Sequence, residues 1–285
     1  MNRIVISCSI ILLSFLLTSC KSIPTSQERS DSATSLASLN NWIRKDIDTG
    51  NFLIRSYLPH NLTEHNTLTI FIEGDGLAWL SKRKPSLDPT PVNNTVLKMA
   101  LSHPESNAAY LARPCHFNKT TNCSYRFWLK ERFSPVVIRN MDSAVDQLKQ
   151  RVDAKELILI GYSGGGAIAT LLASSRKDVT HLITLAGNLD HKTWTEHHQI
   201  TPLIGSLNPI DYSSELQKNE VKQTHFIGSR DKIIPSFLTY RFANSQRNKR
   251  INVIELEQFD HNCCWDSQWP KLWKGFIESR KTAKN

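Results

Sequence analysis

The sequence predicts one α/β domain built on a mostly parallel sheet with helices on both faces. Three observations predict it. Short, nearly continuous apolar runs recur along the chain, the pattern of strands buried on both faces. Amphipathic stretches of helical length separate these runs, as parallel strands joined by crossovers require. The 285 residues are 40% hydrophobic and 21% charged, with 11 Gly and 12 Pro. That balance is globular, and it excludes a collagen-like, mainly disordered or polytopic membrane chain.

In chain order, residues 42–48 and 52–57 are β-prone runs around Thr49-Gly50-Asn51, which signals an N-terminal β-hairpin. Leu68-Thr69-Ile70-Phe71-Ile72 is a buried strand, residues 92–102 a helix and 108–112 a strand. A helix at 135–152, a strand at 156–160, a helix at 164–175 and a strand at 179–185 continue the alternation. A polar insertion spans 191–217 before strands at 224–227 and 251–256. The last helix follows from Gln268. There Trp265, Trp269 and Trp273 repeat every four residues and read as core packing rather than a substrate platform. Trp79, Trp128 and Trp194 fall in loops or the insertion and are left as acyl-pocket candidates. No linker or repeat interrupts the chain after Asn41, so 41–285 is one domain.

The N-terminus sets the compartment. Met1-Asn2-Arg3 gives a positive start, and residues 4–17 are an almost uninterrupted apolar run of 14 residues. That run has the length of a signal-peptide core and is too short for a stable membrane span. Leu17-Thr18-Ser19-Cys20 follows and resembles a bacterial lipobox, in which cleavage precedes a cysteine that carries lipid. The resemblance implies a signal peptide over 1–19, acylation of Cys20 and anchoring by several acyl chains. Lys21 in place of Asp implies, by the same analogy, the periplasmic face of an outer membrane. Residues 20–40, rich in serine, read as the lipidated cysteine and a flexible tether.

Lys plus Arg exceed Asp plus Glu by 35 − 26 = 9. Apart from Lys82-Arg83-Lys84 and Arg247-Asn248-Lys249-Arg250, the excess is scattered and reads as a solvated surface. No nucleic-acid motif accompanies it, so an anionic membrane is the favoured partner over nucleic acid. Of the six cysteines, the lipobox resemblance implies that Cys8 leaves with the signal and that Cys20 would be acylated. An oxidising compartment then favours Cys115 paired with Cys123 across a short loop, with Cys263 and Cys264 left open between a mutual bond and free thiols. The spacing contains no CxxC, and no metal site is assigned.

The chemistry falls at strand ends. Gly161-Tyr162-Ser163-Gly164-Gly165 carries G-x-S-x-G between an apolar strand and a small-residue helix, the context of a nucleophile elbow. The turn strains Ser163, and the Gly164 N–H at the helix start is positioned for a developing oxyanion. A glycine-rich anion loop or a capping serine is the bland alternative. A serine needs a base and the base an orienting acid. Asp231 follows one late strand in Gly228-Ser229-Arg230-Asp231, and His261 follows the last strand.

Ser163, Asp231 and His261 in that order resemble the α/β-hydrolase superfamily from about Asn41 onward. The nearest likeness is to bacterial lipoprotein hydrolases with Gly161-Tyr162-Ser163-Gly164-Gly165-Gly166, Ala186-Gly187-Asn188-Leu189-Asp190 and Ala112-Arg113-Pro114-Cys115. The resemblance implies a serine esterase with an acyl-enzyme and no cofactor, acting on a small-molecule or lipid acyl substrate. Thioesterase or peptidase chemistry on the same triad is the alternative, as is a noncatalytic lipoprotein that binds an envelope ligand or partner. The second oxyanion donor is expected after the strand at 68–72, in Glu73-Gly74-Asp75-Gly76, from Asp75 or else Gly76. Glu73 stands where the superfamily often has histidine. Asp190 is the rival acid. His191, His197 and His198, with Glu196, read as surface or lid groups, since adjacent histidines point different ways on a helix.

Overall fold

A computed structural model describes residues 22–62, 66–81, 83–246 and 250–282. The expected signal peptide and Cys20 lie outside the described residues. Helix α1 (Ser26–Leu39) precedes the hairpin of β1 (Trp42–Asp48) and β2 (Leu53–Pro59), which pair antiparallel with Ile47 opposite Ile54. Strand β3 (Thr67–Ile72) leads into a small hairpin, β4 (Trp79–Ser81) and β5 (Lys84–Pro85). Then come α2 (Thr95–Leu101), β6 (Ala108–Leu111), α3 (Pro135–Arg151), β7 (Glu156–Tyr162), α4 (Gly164–Ser175) and β8 (Val179–Leu185). Helices α5 (His191–His197) and α6 (Ser213–Lys218) occupy the insertion. Strand β9 (Lys222–Gly228), α7 (Ser236–Asn244), β10 (Ile251–Leu256) and α8 (Trp265–Thr282) complete the chain.

The main sheet has eight strands in the order β1-β2-β6-β3-β7-β8-β9-β10. From β6 through β10 every neighbouring pair is parallel, while β1 and β2 form the antiparallel edge. The apolar runs explain this arrangement: β3, β6, β7 and β8 are buried on both faces and need a helical layer on each side. One layer is α3 and α4, with Val137, Met141 and Leu148 packing beside Ile168 and Leu172. The other is α1, α2 and α8, where Trp265, Trp269 and Trp273 are buried, as their four-residue spacing predicts. All parallel strands end at one edge. From β3 the chain moves to β6 on one side and then to β7 on the other, and strand ends beside such a reversal are where ligands bind in open α/β sheets.

The serine-rich stretch corrects the expected tether. Residues 26–39 are helical, opened by a reciprocal cap in which Thr25 Oγ1 accepts the Glu28 N–H and Glu28 accepts the Thr25 N–H. Buried Arg29, Ala33 and Ala37 fall four residues apart and lie on the body of the domain. The domain therefore begins at α1, well before Asn41. Cys115 and Cys123 face each other with Cα atoms 5.7 Å apart, a separation a disulfide spans, and Cys263 and Cys264 lie side by side before α8.

Candidate active site

Strand β7 runs straight into Ser163, whose φ of +53° lies in the left-handed region that a side chain rarely adopts. Main-chain bonds fix the turn. The Ser163 N–H donates to Leu185 O (3.0 Å), and its carbonyl accepts from Gly166 N–H and Asn188 N–H (3.0 Å each). The turn is tight enough that a Cβ on Gly161 would sit 2.3 Å from Gly165 O. Ser163 is thus presented at the start of α4 with its backbone fully engaged. The Asn188 bond also explains why the Ala186-Gly187-Asn188-Leu189-Asp190 string accompanies the serine: it braces the elbow from β8.

His261 Nε2 lies 3.0 Å from Ser163 Oγ, and its Nδ1 lies 2.8 Å from Asp231 Oδ2. With Nδ1 facing a carboxylate, the ring carries its proton there and leaves Nε2 to accept from the serine. The Asp231 side chain is fully buried, and its other oxygen accepts the Ile233 and Ile234 N–H groups at 2.8 Å each. Those bonds fix its aim. The Arg230 N–H donates to Phe259 O (2.9 Å), which ties the acid turn to the histidine loop. Tyr162 Oη (2.5 Å) and Trp265 Nε1 (3.0 Å) both donate to the His261 carbonyl, and the Tyr162 ring lies 5.3 Å from the imidazole.

The turn after β3 closes the other side. A Cβ on Gly164 would lie 2.1 Å from Asp75 Oδ1, so this turn packs directly on the start of α4. Asp75 is held by Arg113 and by Arg132, whose Nη1 is 2.6 Å from Oδ2. Burial opposes the charge, but these two guanidiniums outweigh it and bring the Asp75 pKa down to about 2. Arg113 also donates to the Arg132 carbonyl (2.7 Å), so the loops from 113 and 132 meet over the site. Glu73 is buried, and burial pushes its pKa up to about 7. It accepts from Gly74 N–H (2.8 Å) and Tyr110 O–H (2.9 Å).

The profile of the serine hydrolase (FSH1) family matches residues 96–261, more than half of the chain and a span that includes Ser163, Asp231 and His261. The chain belongs to the FSH1 serine hydrolase family. Its fold is that of the α/β hydrolases. Similar solved structures include Est1E from Butyrivibrio proteoclasticus, 15% identical with a TM-score of 0.57, covering 84% of this chain and 99% of that one. The esterase Pf2001 from Pyrococcus furiosus is 14% identical with a TM-score of 0.58, covering 85% and 90%. An α/β serine hydrolase homologue from Coxiella burnetii is 12% identical with a TM-score of 0.55, covering 83% and 96%. No curated protein matches the chain.

The structure places the rival residues of this serine hydrolase away from the serine–histidine pair. Asp190 caps α5, accepting from Thr193 N–H (3.3 Å) and Asn208 (2.9 Å), and pairs with Arg241 (2.9 Å). Burial works against its charge, yet those donors hold its pKa below the usual carboxylate range. His191 is buried beside Phe133, whereas His198 Nε2 and Trp194 Nε1 both reach the Ile233 carbonyl, at 2.9 and 2.7 Å. The insertion is therefore pinned to the turn that carries Asp231. Trp128 is buried in the core and Trp79 is exposed on the β4–β5 hairpin. Tyr162, Trp265, Arg113 and Arg132 escaped the sequence reading as site residues. Tyr162 and Arg113 stand inside strings already singled out, but nothing in the sequence shows what they touch.

Proposed function

We propose that the protein hydrolyses carboxylic esters through an acyl-enzyme on Ser163. The supporting observation is the continuous hydrogen-bonded relay from Asp231 through His261 to a serine at φ +53°. Ser163 Oγ attacks the ester carbonyl carbon as its proton passes to His261 Nε2. The oxyanion is stabilised by the Gly164 N–H, aided by the α4 dipole, and by the Asp75 N–H from the β3 turn. Collapse breaks the bond to the alcohol, which leaves with the proton from His261. A water then gives its proton to His261 and attacks the acyl-serine, releasing the acid and restoring Ser163. Asp231 holds the tautomer and stabilises the imidazolium at each transfer.

Purified protein is tested on matched ester, thioester and amide substrates beside Ser163→Ala. Ester turnover that disappears in the variant supports the reading, and amide or thioester turnover without ester turnover contradicts it. The anchor belongs to the same proposal: Cys20 carries lipid and holds the enzyme at the envelope, with Cys115 and Cys123 oxidised there. Cys20→Ala should then release the protein from the membrane fraction.

A further inference from the structure

Four residues beyond Asp75 the chain leaves the site as the β4–β5 hairpin, so the hairpin starts within about 15 Å of that turn. Its apolar side chains face water. Trp79 and Leu80 are each 41% exposed, and Leu87 just beyond is 69% exposed. Exposed Tyr125 lies against Trp128, whose indole N–H donates to Ser86 O (3.1 Å), so that ring borders the same patch. The base is fixed by Leu77 N–H to Pro89 O and Ser86 N–H to Ala78 O, both 3.0 Å.

Cations surround these groups. Arg83 and Lys84 are exposed and have no ion-pair partner among the described residues, and Lys82 adjoins them in sequence. Lys119 reaches the Leu87 carbonyl (2.5 Å). Asp88, the carboxylate that follows Leu87 in the chain, is neutralised by Arg29 and Lys119, each at 3.5 Å. The same contact locates the N-terminus. Arg29, in the first turns of α1, bonds the Thr90 carbonyl and pairs with Asp88, one residue beyond Leu87. The described chain begins at Ser22, only seven residues earlier, so it enters the domain beside this hairpin.

We propose that the β4–β5 hairpin docks on an anionic lipid bilayer. Trp79, Leu80 and Leu87 enter the boundary between headgroups and acyl chains, while Arg83 and Lys84 meet acidic headgroups. Neither half suffices by itself: a few apolar side chains bind weakly, and exposed cations are screened by salt. Docking turns the carboxyl edge of the sheet, and with it Ser163, toward the membrane. Lipid on Cys20 would draw the same face down, but the surface depends neither on that lipid nor on hydrolysis.

Residues 22–285 retain every described contact, because the packed core begins at α1, and this chain lacks both lipid and leader. It is sedimented with vesicles of phosphatidylcholine alone and of phosphatidylcholine mixed with phosphatidylglycerol. The parent should bind the mixed vesicles, lose binding as salt rises, and bind phosphatidylcholine far less. Arg83→Gln with Lys84→Gln should lower the partition coefficient about tenfold or more. Leu80→Ser with Leu87→Ser should lower it comparably, and both variants should keep the parental melting temperature and turnover of a soluble ester. Ser163→Ala should bind vesicles as the parent does, which separates this surface from the hydrolase reading. No binding by the parent, equal binding to both vesicle types, or parental binding by either hairpin variant would overturn the proposal.

Discussion

Ser163 sits in a backbone conformation that costs free energy, and the surrounding bonds explain why it persists: its N–H and carbonyl are both engaged across β8 and α4. The acid can be assigned by substitution. Asp231→Asn should lower turnover by roughly 10⁴-fold in a folded enzyme, because the imidazole loses the carboxylate that sets its tautomer. Asp190→Asn should leave turnover near parental, since Asp190 caps α5 and pairs with Arg241; kinetics on one activated ester distinguish the two. Tyr162→Phe removes a donor to the His261 carbonyl while keeping the ring. It should lower kcat roughly three- to tenfold with KM little changed, the loss expected for one positioning hydrogen bond. Of these residues only the serine, aspartate and histidine were legible in the sequence. Each follows an apolar run in the expected order, whereas Tyr162 acts on a residue 99 positions away and no local pattern records that.

At the scale of elements, the strands and long helices were legible because each has its own period and punctuation. Helix α1 was misread for a physical reason: it buries only Arg29, Ala33 and Ala37, so no large apolar stripe marks its inner face. One signal was present, the Thr25-to-Glu28 spacing of a capping box, and serine content obscured it. The β4–β5 hairpin and α7 were likewise absent from the sequence reading, the hairpin because its strands are only three and two residues long. Asp75 joins three elements by holding Arg113 and Arg132 against the β3 turn. Both arginines are almost fully buried, so removing their shared carboxylate leaves uncompensated charge in the interior. Asp75→Ala should destabilise the fold by about 3–5 kcal/mol, read by urea unfolding, while replacement of exposed Glu278, which faces Lys274 on the surface of α8, should cost almost nothing.

For the whole molecule, parallel strands ending at one edge bring residues from three distant segments together, and this is why the fold class already located the site. The interior also sets the response to acid. Burial brings His103, His116 and His225 down to about 3, so each is neutral in the folded state and protonates more readily when unfolded. Stability from these three is complete above the unfolded value near 6.5 and is lost as pH falls toward 3. Glu73, raised to about 7, works oppositely: its contribution is complete below the unfolded value near 4.5 and is lost as pH rises through 7. Three groups outweigh one, so stability should fall on the order of 2 kcal/mol per pH unit between pH 6 and 5. Thermal melts across that range check the sign, and Glu73→Gln should steepen the fall by removing the opposing titration. Activation of Ser163 is read by a fluorophosphonate probe followed by peptide mapping. One adduct per chain is expected, on Ser163, abolished in Ser163→Ala and strongly slowed in Asp231→Asn. A folded parent that takes up no probe, or carries it on another residue while Ser163 stays free, would show that Ser163 is not an activated nucleophile.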